Sequence, residues 1–415
     1  MNKPKAIVLG GTIPHKALIE NLKQRGYYVI LLDYYKNPPA KEAADRHIQE
    51  STLDKDKVLE VARQEKVDLV ISTCIDQANV TACYVGEKLG LPIPYSYQTA
   101  LDISDKSSMK TMMRQGGIPT SHFIHVEKET SLNLAGLTFP LVVKPSDSNG
   151  SKGVRRVDSP GELDQYLADS ITISRNNKAI VEEFVEGPEI GVDCFVADHH
   201  AHIVAMHKKR KPQKKDGSVM FSIGSISPPE LSESAKQNIQ GIANKIAKVF
   251  RLNNTPLLIQ LIGHGDNSSV VEFAPRIGGG LNFQKINLFA GFDIIDAAVD
   301  SFLGVAVKPV YNLPDFFYSE NHIYTEPGIF GKTTGYEELL DKEVLVAFFP
   351  NKTQGMVIHP GKASKDRAAS FIVKGETKNE IISKVQQTLA AVKVFDINGN
   401  EMAFLHNYQH AELLF

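Results

Sequence analysis

Short apolar runs alternate with amphipathic stretches over the first 95 residues of the chain. The run Ala6–Leu9 ends at Gly10-Gly11, and a stretch with helical periodicity follows from about His15 to Arg25. The alternation continues, with strands predicted at 28–32 and 67–72 and helices at 53–65 and 78–89. Because strands separated by helices pair in parallel, residues 1–95 are predicted to form a small parallel α/β layer.

After a linker that contains prolines near residue 92, the pattern changes from alternating strands and helices to hairpins. Ser104-Asp105 is predicted to cap the helix that follows it. Two strand–turn–strand patterns come next, at residues 179–196 and 256–280. A mixed segment begins at about Tyr311 and includes an amphipathic helix near the end of the chain.

A strand that ends in a lysine leads into a loop of small polar residues between Pro140 and Val154. The glycines at positions 150 and 153 let backbone N–H groups approach an anion closely, and neighbouring side chains add charge and hydroxyl donors. These side chains are Lys144, Lys152, Ser146, Ser148 and Ser151. The segment lacks the P-loop spacing, and taken alone it is more typical of an exposed turn.

The glycine turn after the first strand, with Asp33 at the end of the second, is also similar to a dinucleotide-binding layer. The turn is Gly10-Gly11-Thr12-Ile13-Pro14, which lacks the third glycine of G-x-G-x-x-G. Its proline also alters the start of the helix. An oxidoreductase that binds a nicotinamide cofactor is therefore the weaker interpretation.

Seven elements, taken in order and spacing, resemble the ATP-grasp superfamily. They are Lys106, Lys144, the 146–154 loop, the segment 182–189, Gln260, Glu272 and Arg276. The resemblance implies adenine held between two sheets, a lysine and a mobile loop at the phosphates, and magnesium on a late hairpin. The implied fold class is α/β and α+β. It comprises an N-terminal parallel α/β (pre-ATP-grasp) layer over 1–95, an ATP-grasp domain over 96–310 with a mobile lid subdomain at about 117–187, and a C-terminal α+β cap over 311–415.

The resemblance also implies roles for individual residues. The implied ATP-binding residues are Lys106, Lys144, Ser151, Gly153, Glu182, Glu183, Phe184, Val185 and Glu189, with Glu182 at the adenine edge and Glu189 at the ribose hydroxyls. Gln260 and Glu272 are the implied ligands of Mg²⁺, with Mn²⁺ as the alternative ion, because hard cations take oxygen ligands. Arg276 and Lys144 are the implied catalytic residues, and Arg276, Gly278 and Gly279 are implied to bind the substrate.

One position departs from the family pattern. Relatives generally have Glu-x-Asn-Pro-Arg where this chain has Glu272-Phe273-Ala274-Pro275-Arg276, and a methyl group cannot coordinate a metal. Water, ATP oxygens or Asn282 would have to replace the missing amide. Ala274 therefore leaves open a nucleotide-binding protein with weak or no turnover.

Composition disfavours several other classes of protein. With 415 residues, 42% hydrophobic and 23% charged, the chain has the composition of a globular protein with more than one domain. A net charge of -2 favours neither nucleic acid nor a membrane surface, and no stretch approaches the roughly 20 apolar residues of a membrane span. Three scattered cysteines are too few for a disulfide framework or a zinc site, so a cytoplasmic location is expected.

A basic run and a group of histidines each allow both a structural and a functional interpretation. The run Lys208–Lys215 is expected to be a solvated hairpin loop, with attraction of an anionic substrate or shielding of phosphates as the functional alternative. His199, His200, His202 and His207 suggest a metal site, but they lack partners with zinc-ligand spacing.

The sequence as a whole predicts an ATP-dependent carboxylate–amine ligase. The expected reaction activates a carboxylate as an acyl phosphate and forms an amide or peptide bond, with release of ADP and phosphate. The overall pattern resembles L-amino-acid ligases and stand-alone proteins similar to half of the carbamoyl-phosphate synthase large subunit, and a biotin-carboxylase-like enzyme is a further alternative. Expected partners are small-molecule carboxylate and amine substrates, with neither nucleic acid nor membrane, and the expected assembly is a homodimer.

Overall fold

The computed structural model describes residues 3–127, 133–134, 136–148, 153–211, 222–263, 267–360 and 366–405. The chain divides into two compact units. Unit 1 consists of Met1–Thr120, Gly191–Ala205 and Leu231–Leu313, and unit 2 of Ser121–Ile190, Met206–Glu230 and Pro314–Phe415. The three-domain division at residues 95 and 310 stays a prediction.

The helices of the described residues are α1 (Ile13–Gln24), α2 (Lys55–Glu65), α3 (Asp76–Leu89), α4 (Tyr97–Ser104), α5 (Lys106–Gln115), α6 (Pro160–Ile173), α7 (Glu233–Val249), α8 (Asn282–Lys285), α9 (Ile294–Phe302), α10 (Glu337–Asp341) and α11 (Lys378–Ala391). A short 3₁₀ turn forms at Lys41–Ala43 and a π-helical turn at Ile286–Ala290.

The first nine strands are β1 (Lys5–Leu9), β2 (Tyr28–Asp33), β3 (Arg46–Gln49), β4 (Leu69–Ile71), β5 (Phe123–Glu127), β6 (Leu141–Pro145), β7 (Arg155–Val157), β8 (Lys178–Glu183) and β9 (Glu189–Ala197). The others are β10 (His200–Arg210), β11 (Gly224–Ser227), β12 (Thr255–Ile262), β13 (Ser269–Ala274), β14 (Phe317–Ile323), β15 (Gly328–Thr334), β16 (Ala347–Pro350), β17 (Val357–Ile358), β18 (Ala369–Gly375) and β19 (Lys393–Asp396).

A parallel sheet of order β3-β2-β1-β4 forms the N-terminal layer of unit 1. The apolar runs of β1 and β2 are fully buried, because helices cover a parallel sheet on its faces. This layer confirms the predicted parallel α/β arrangement, and α1, α2 and α3 begin within two residues of their predicted starts. Strand β3, which lies at the sheet edge and is partly exposed, was not predicted from the pattern.

Strands β12 and β13 of unit 1 form an antiparallel hairpin next to β9. Gln260 lies directly opposite Glu272, and the register shifts between Gln260 and Leu261. Apolar residues of β9, β10 and α9 join the core of the N-terminal layer, including Phe195, Val204 and Phe302. Strand β9, which neighbours the hairpin in the sheet, is therefore anchored in the same core as the parallel sheet.

Unit 2 begins with an antiparallel sheet of order β5-β8-β6-β7, which packs on α6. Its core includes Leu141, Val143 and Val181 on the sheet and Leu163 on the helix. This places β6, the strand that ends at Lys144-Pro145, in the interior of the sheet between β7 and β8.

The C-terminal part of unit 2 extends the order β10-β11-β14-β18-β16 and adds a small sheet of β17, β15 and β19. The core of this part combines Phe371 and Val373 of β18 with Ile381 and Val385 of α11. The mixed α+β character predicted from about residue 311 is confirmed. No helix of the described residues has the length and apolar character needed to cross a bilayer.

Candidate active site

The hairpin of unit 1 carries the residues predicted to hold magnesium. Glu272 of β13 and Gln260 of β12 are cross-strand partners, so their side chains emerge on the same face of the hairpin. The Glu272 side chain keeps 32% of its exposure, and its Oε2 lies 3.5 Å from Nζ of Lys106. Carboxylate and amide oxygens side by side are donors that suit Mg²⁺, so these residues fit the predicted ion.

Lys106 is the first residue of α5, and a side-chain cap fixes the start of this helix. The carboxylate of Asp105 caps α5 by accepting a hydrogen bond from the backbone N–H of Ser108 at 2.9 Å. The sequence predicted this cap. The Lys106 side chain keeps only 12% of its exposure, so it is held beside Glu272 and does not lie in solvent.

Arg276 lies two residues after the end of β13. It forms a two-point ion pair with Asp76, which is 200 residues away in the sequence. Its Nε donates to Asp76 Oδ1 at 2.7 Å and its Nη2 to Oδ2 at 3.2 Å. Burial works against both charges, but the pair raises the pKa of Arg276 and lowers the pKa of Asp76, to which Lys106 also contributes. Both side chains are therefore ionised at neutral pH.

Gly278 is closely packed, whereas Gly279 is exposed. A Cβ added at Gly278 would lie 2.2 Å from Nδ2 of Asn282 and 2.7 Å from Oδ1 of Asp193. The Asn282 amide donates to both oxygens of Asp193 at 3.1 Å. Gly278 is thus needed for packing of this turn, and substrate binding by either glycine stays a prediction.

Ala274 is 7% exposed and pairs with Leu258 across the hairpin. It lies two residues after Glu272 on β13, so an asparagine at this position would project on the same side as the carboxylate. The sequence departure therefore lies directly beside the candidate metal ligands.

Unit 2 carries a buried ion pair. Lys144, near the end of β6, lies 2.6 Å from Oε1 of Glu182 on β8, and the two side chains keep 4% and 8% of their exposure. The second carboxylate oxygen of Glu182 accepts a hydrogen bond from Ser121 at 2.8 Å. Because both oxygens are engaged, the geometry favours Glu182 as the residue that orients Lys144, and its contact with adenine stays a prediction.

The segment after β8 was predicted to contact adenine through its backbone. The N–H of Glu183 donates to the carbonyl of His122 at 3.0 Å, and the N–H of Phe184 donates to that of Pro140 at 3.0 Å. The guanidinium carbon of Arg156 lies 4.5 Å from the centre of the Phe184 ring. These bonds use the backbone N–H groups of Glu183 and Phe184. The backbone of Val185 is therefore the better candidate for recognition of the base.

Glu189, predicted to bind the ribose, is held by two lysines. Its carboxylate pairs with Nζ of Lys209 and, at 2.5 Å, with Nζ of Lys211. Burial opposes the ionised form, but the two ammonium groups lower the pKa of Glu189 to about 2. Nothing in the local sequence around Glu189 indicates this pairing.

The run Lys208–Lys215 was predicted to be a solvated hairpin loop. This prediction is wrong for residues 208–210, which belong to β10. Arg210 is buried, and its Nη2 donates to Asn321 Oδ1 at 2.5 Å and to the carbonyl of Glu320 at 2.9 Å. A Cβ at Gly224 would collide with both groups, at 2.4 Å from Nη2 and 2.1 Å from the carbonyl oxygen. Arg210 is thus a packing residue, and the lysines beyond Lys211 lie outside the described residues.

The loop after β6 lies partly outside the described residues, and Ser151 is among those not described. At its far end, Gly153 has φ +76°, and a Cβ there would lie 2.8 Å from Pro145 and 3.0 Å from Ile173. Gly153 is therefore required by backbone conformation and packing. The predicted closure of the loop over ATP phosphates stays a prediction.

Among the described residues no group of three or more His, Cys, Asp or Glu side chains is placed to hold a metal ion.

The Glu189 cluster makes stability depend on pH in a defined direction. The folded-state pKa of about 2 lies below the usual value of 4.5, so the paired carboxylate stabilises the fold above about pH 4.5 and loses this effect as the pH falls towards 2. We expect Glu189→Gln to lower the urea midpoint of unfolding at pH 7, with a difference from the natural protein that shrinks between pH 4.5 and 2. A difference of constant size over this range would contradict the assignment.

A family model described as "ATP-grasp domain" matches residues 137–284. The L-arginine-specific L-amino acid ligase of Bacillus subtilis is 24% identical over 368 residues, which cover 83% of this chain and 83% of that protein. The formate-dependent phosphoribosylglycinamide formyltransferase of Pyrococcus abyssi is 28% identical over 283 residues, which cover 66% of this chain. The match spans only 64% of the length of that formyltransferase.

Solved structures show the same fold over nearly the whole chain. The L-amino acid ligase from Bacillus licheniformis superposes with a TM-score of 0.76 at 19% identity, covering 95% of this chain and 100% of that chain. The phosphoribosylglycinamide synthetase from Anaerococcus prevotii gives a TM-score of 0.75 at 18% identity, with the same coverage. The mixed α/β architecture predicted from the sequence is confirmed by these neighbours.

Proposed function

We propose that this chain, which carries an ATP-grasp domain, is an ATP-dependent carboxylate–amine ligase. The observation that carries the proposal is the cluster of Lys106, Glu272, Gln260 and Arg276 in unit 1, which combines oxygen ligands for a divalent cation with two cationic side chains. Phosphoryl transfer needs this combination, because its catalysis consists mainly of positioning and charge neutralisation.

The reaction follows from the chemistry of amide formation. A carboxylate does not react with an amine in water at a useful rate, so a carboxylate oxygen first attacks the γ-phosphorus of ATP, and the bond to the β,γ-bridging oxygen breaks. The products of this step are an acyl phosphate and ADP. The amine then attacks the acyl carbon, phosphate leaves, and the amine proton passes to solvent or a base.

Unit 1 supplies the groups around the transferring phosphoryl. Glu272 and Gln260 would hold Mg²⁺, which neutralises phosphate charge when it is bound. Lys106 supplies a further positive charge next to Glu272. Arg276 offers N–H donors to an oxyanion, either the substrate carboxylate or the phosphoryl group, where a planar guanidinium is favoured.

Unit 2 supplies the groups proposed for the nucleotide. Lys144 would contact a phosphate, oriented by Glu182. The backbone of Val185 would recognise adenine, and Glu189 with its two lysines would lie at the ribose and the phosphates. Loop residues 146–154 would cover the phosphates when ATP is bound, which hydrogen exchange with and without an ATP analogue can test.

The test is a screen of carboxylate and amine pairs for release of ADP, with amino acids in both roles. Hydroxylamine added in place of the amine should trap the acyl phosphate as a hydroxamate, and only when the correct carboxylate is present. Thermal stabilisation by ATP with magnesium, but not by NAD, should accompany activity. Nucleotide binding without release of ADP or hydroxamate across the panel would contradict the ligase.

A second candidate, a nucleotide-binding protein without ligase turnover, is favoured by Ala274 alone. We expect Ala274→Asn to lower the magnesium concentration that gives half the maximal rate, because the new amide would project beside Glu272. Absence of ADP release from both the natural protein and Ala274→Asn, with ATP binding kept by both, would favour the second candidate. A carbamoyl-phosphate-synthase-like or biotin-carboxylase-like activity would instead give bicarbonate-dependent ADP release.

The assembly and the location of the protein stay predictions. A homodimer is expected, and sedimentation velocity would measure it directly.

A further inference from the structure

The segment Pro275–Ile277, which follows β13, is fixed to the N-terminal layer by three contacts within unit 1. The hydroxyl of Tyr95 donates to the carbonyl of Pro275 at 3.0 Å. The N–H of Ile277 donates to the carbonyl of Thr73 at 3.1 Å. Between these two bonds, Arg276 forms its ion pair with Asp76. The backbone on both sides of Arg276 is therefore held in place, which fixes the position from which its side chain extends.

The hydrogen bonds of the guanidinium define what remains available to a ligand. Arginine has five N–H donors, one on Nε and two on each terminal nitrogen. Asp76 accepts from Nε and Nη2, and the carbonyl of Ile277 accepts from Nη1 at 2.9 Å. Within the described part of the chain, one N–H on each terminal nitrogen is left. The side chain keeps 13% of its exposure, so these donors are not sealed from a ligand.

Asp76 is well placed to hold this arrangement. It is the first residue of α3, directly after the turn that follows β4, where a carboxylate is stabilised by the helix dipole. Its two oxygens meet two N–H groups of Arg276 in parallel, a geometry that fixes the plane of the guanidinium as well as its position. Lys106 and Glu272 are near enough to act on the charges of this pair.

We propose that Asp76 is a positioning residue, which fixes the guanidinium of Arg276 so that its two remaining N–H groups meet one oxyanion of the reaction. The proposal rests on the ligase function proposed above and adds a residue to it. The oxyanion is either the carboxylate of the substrate or the transferring phosphoryl group. Asp76 itself contacts neither.

The test compares Asp76→Asn with a matched control, Asp296→Asn. Asp296 lies in the first turn of α9, also in unit 1, and pairs with Arg25 at 2.5 Å, so the control removes a similar ion pair elsewhere in the unit. We expect Asp76→Asn to lower kcat/KM for ADP release about 10- to 100-fold, since misplacement of a positioned group has effects of this size. The Kd for ATP should change less than about twofold, and Asp296→Asn should keep full activity.

The kinetic parameters distinguish the two oxyanions. A higher KM for the carboxylate with kcat kept indicates the substrate carboxylate, and a lower kcat with KM kept indicates the phosphoryl group. Either result supports the proposal if Asp76→Asn has no further effect in an Arg276→Ala background, because Asp76 then acts through Arg276. Additive losses, or an Asp76→Asn variant within twofold of the natural protein, would overturn it.

A second measurement requires no turnover. Aluminium fluoride with MgADP mimics the transferring phosphoryl, and it should raise the melting temperature of the natural protein and of Asp296→Asn beyond the effect of MgADP alone. If the oxyanion is the transferring phosphoryl group, Asp76→Asn should lose this increment. If neither the natural protein nor any variant releases ADP, but Asp76→Asn still differs from Asp296→Asn in this assay, the ligase function is rejected and the role of Asp76 is kept. An equal increment in Asp76→Asn and the control, without any difference in KM, would overturn the inference.

Discussion

Glu272→Gln is expected to abolish turnover while leaving the fold and adenine binding intact. The substitution keeps the size of the side chain but removes the charged oxygen ligand of the hairpin, so only neutral oxygens would remain beside Gln260. Loss of the cation's charge neutralisation costs several kcal/mol of transition-state stabilisation, which is about 10²- to 10³-fold or more in rate. The measurement is kcat for ADP release as a function of magnesium concentration.

Stability provides the control for this variant. The Glu272 side chain is one third exposed and its ion pair with Lys106 is 3.5 Å long, so removal of the pair should change the melting temperature little. Glu127→Gln is a matched variant, because Glu127 is also a strand carboxylate paired with a lysine, Lys178 at 2.8 Å. It should keep both activity and magnesium dependence. Full activity of Glu272→Gln at saturating magnesium would remove Glu272 from the proposed metal site.

Local periodicity predicted the parts of the fold that depend on neighbouring residues. The parallel layer follows from apolar runs such as Ala6–Leu9, and the cap of α5 follows from Asp105, which directly precedes the helical stretch. The hairpin of β12 and β13, with Gln260 and Glu272 on its two strands, was also predicted in position. These features are encoded within segments of about ten residues, where side-chain period and turn chemistry decide the outcome.

The pairings between distant segments were not predictable in the same way. Asp76 and Arg276 are far apart in the sequence, and nothing within either segment indicates that the end of β13 meets the start of α3. The interpretation of Lys209 and Lys211 failed for a related reason, because a run of lysines looks solvated until its partner, Glu189, is known. A carboxylate placed at the start of a helix, after the turn that follows a buried strand, is the signal that would have marked Asp76 for attention.

The second large effect is expected at the buried pair of Lys144 and Glu182. Glu182→Gln leaves the Lys144 ammonium buried without its carboxylate, and removal of one partner of a buried pair typically costs about 3 to 5 kcal/mol. Without nucleotide, the melting temperature of Glu182→Gln should therefore fall clearly. The measurement is the melting temperature with and without ATP and magnesium.

The response to ATP separates a nucleotide-binding pair from a purely structural one. If Lys144 contacts a phosphate, ATP restores a negative partner to the buried ammonium, so the increase in melting temperature with ATP should be larger for Glu182→Gln than for the natural protein. Lys144→Met should also be less stable without nucleotide, but it should lose most of the response to ATP. Its affinity should fall about 10- to 100-fold, as expected for the loss of a charge-assisted contact of about 1.5 to 3 kcal/mol. Equal responses to ATP in the two variants would show that the pair serves only the fold, since a structural ion pair gives no reason for its two members to differ once the pair is broken.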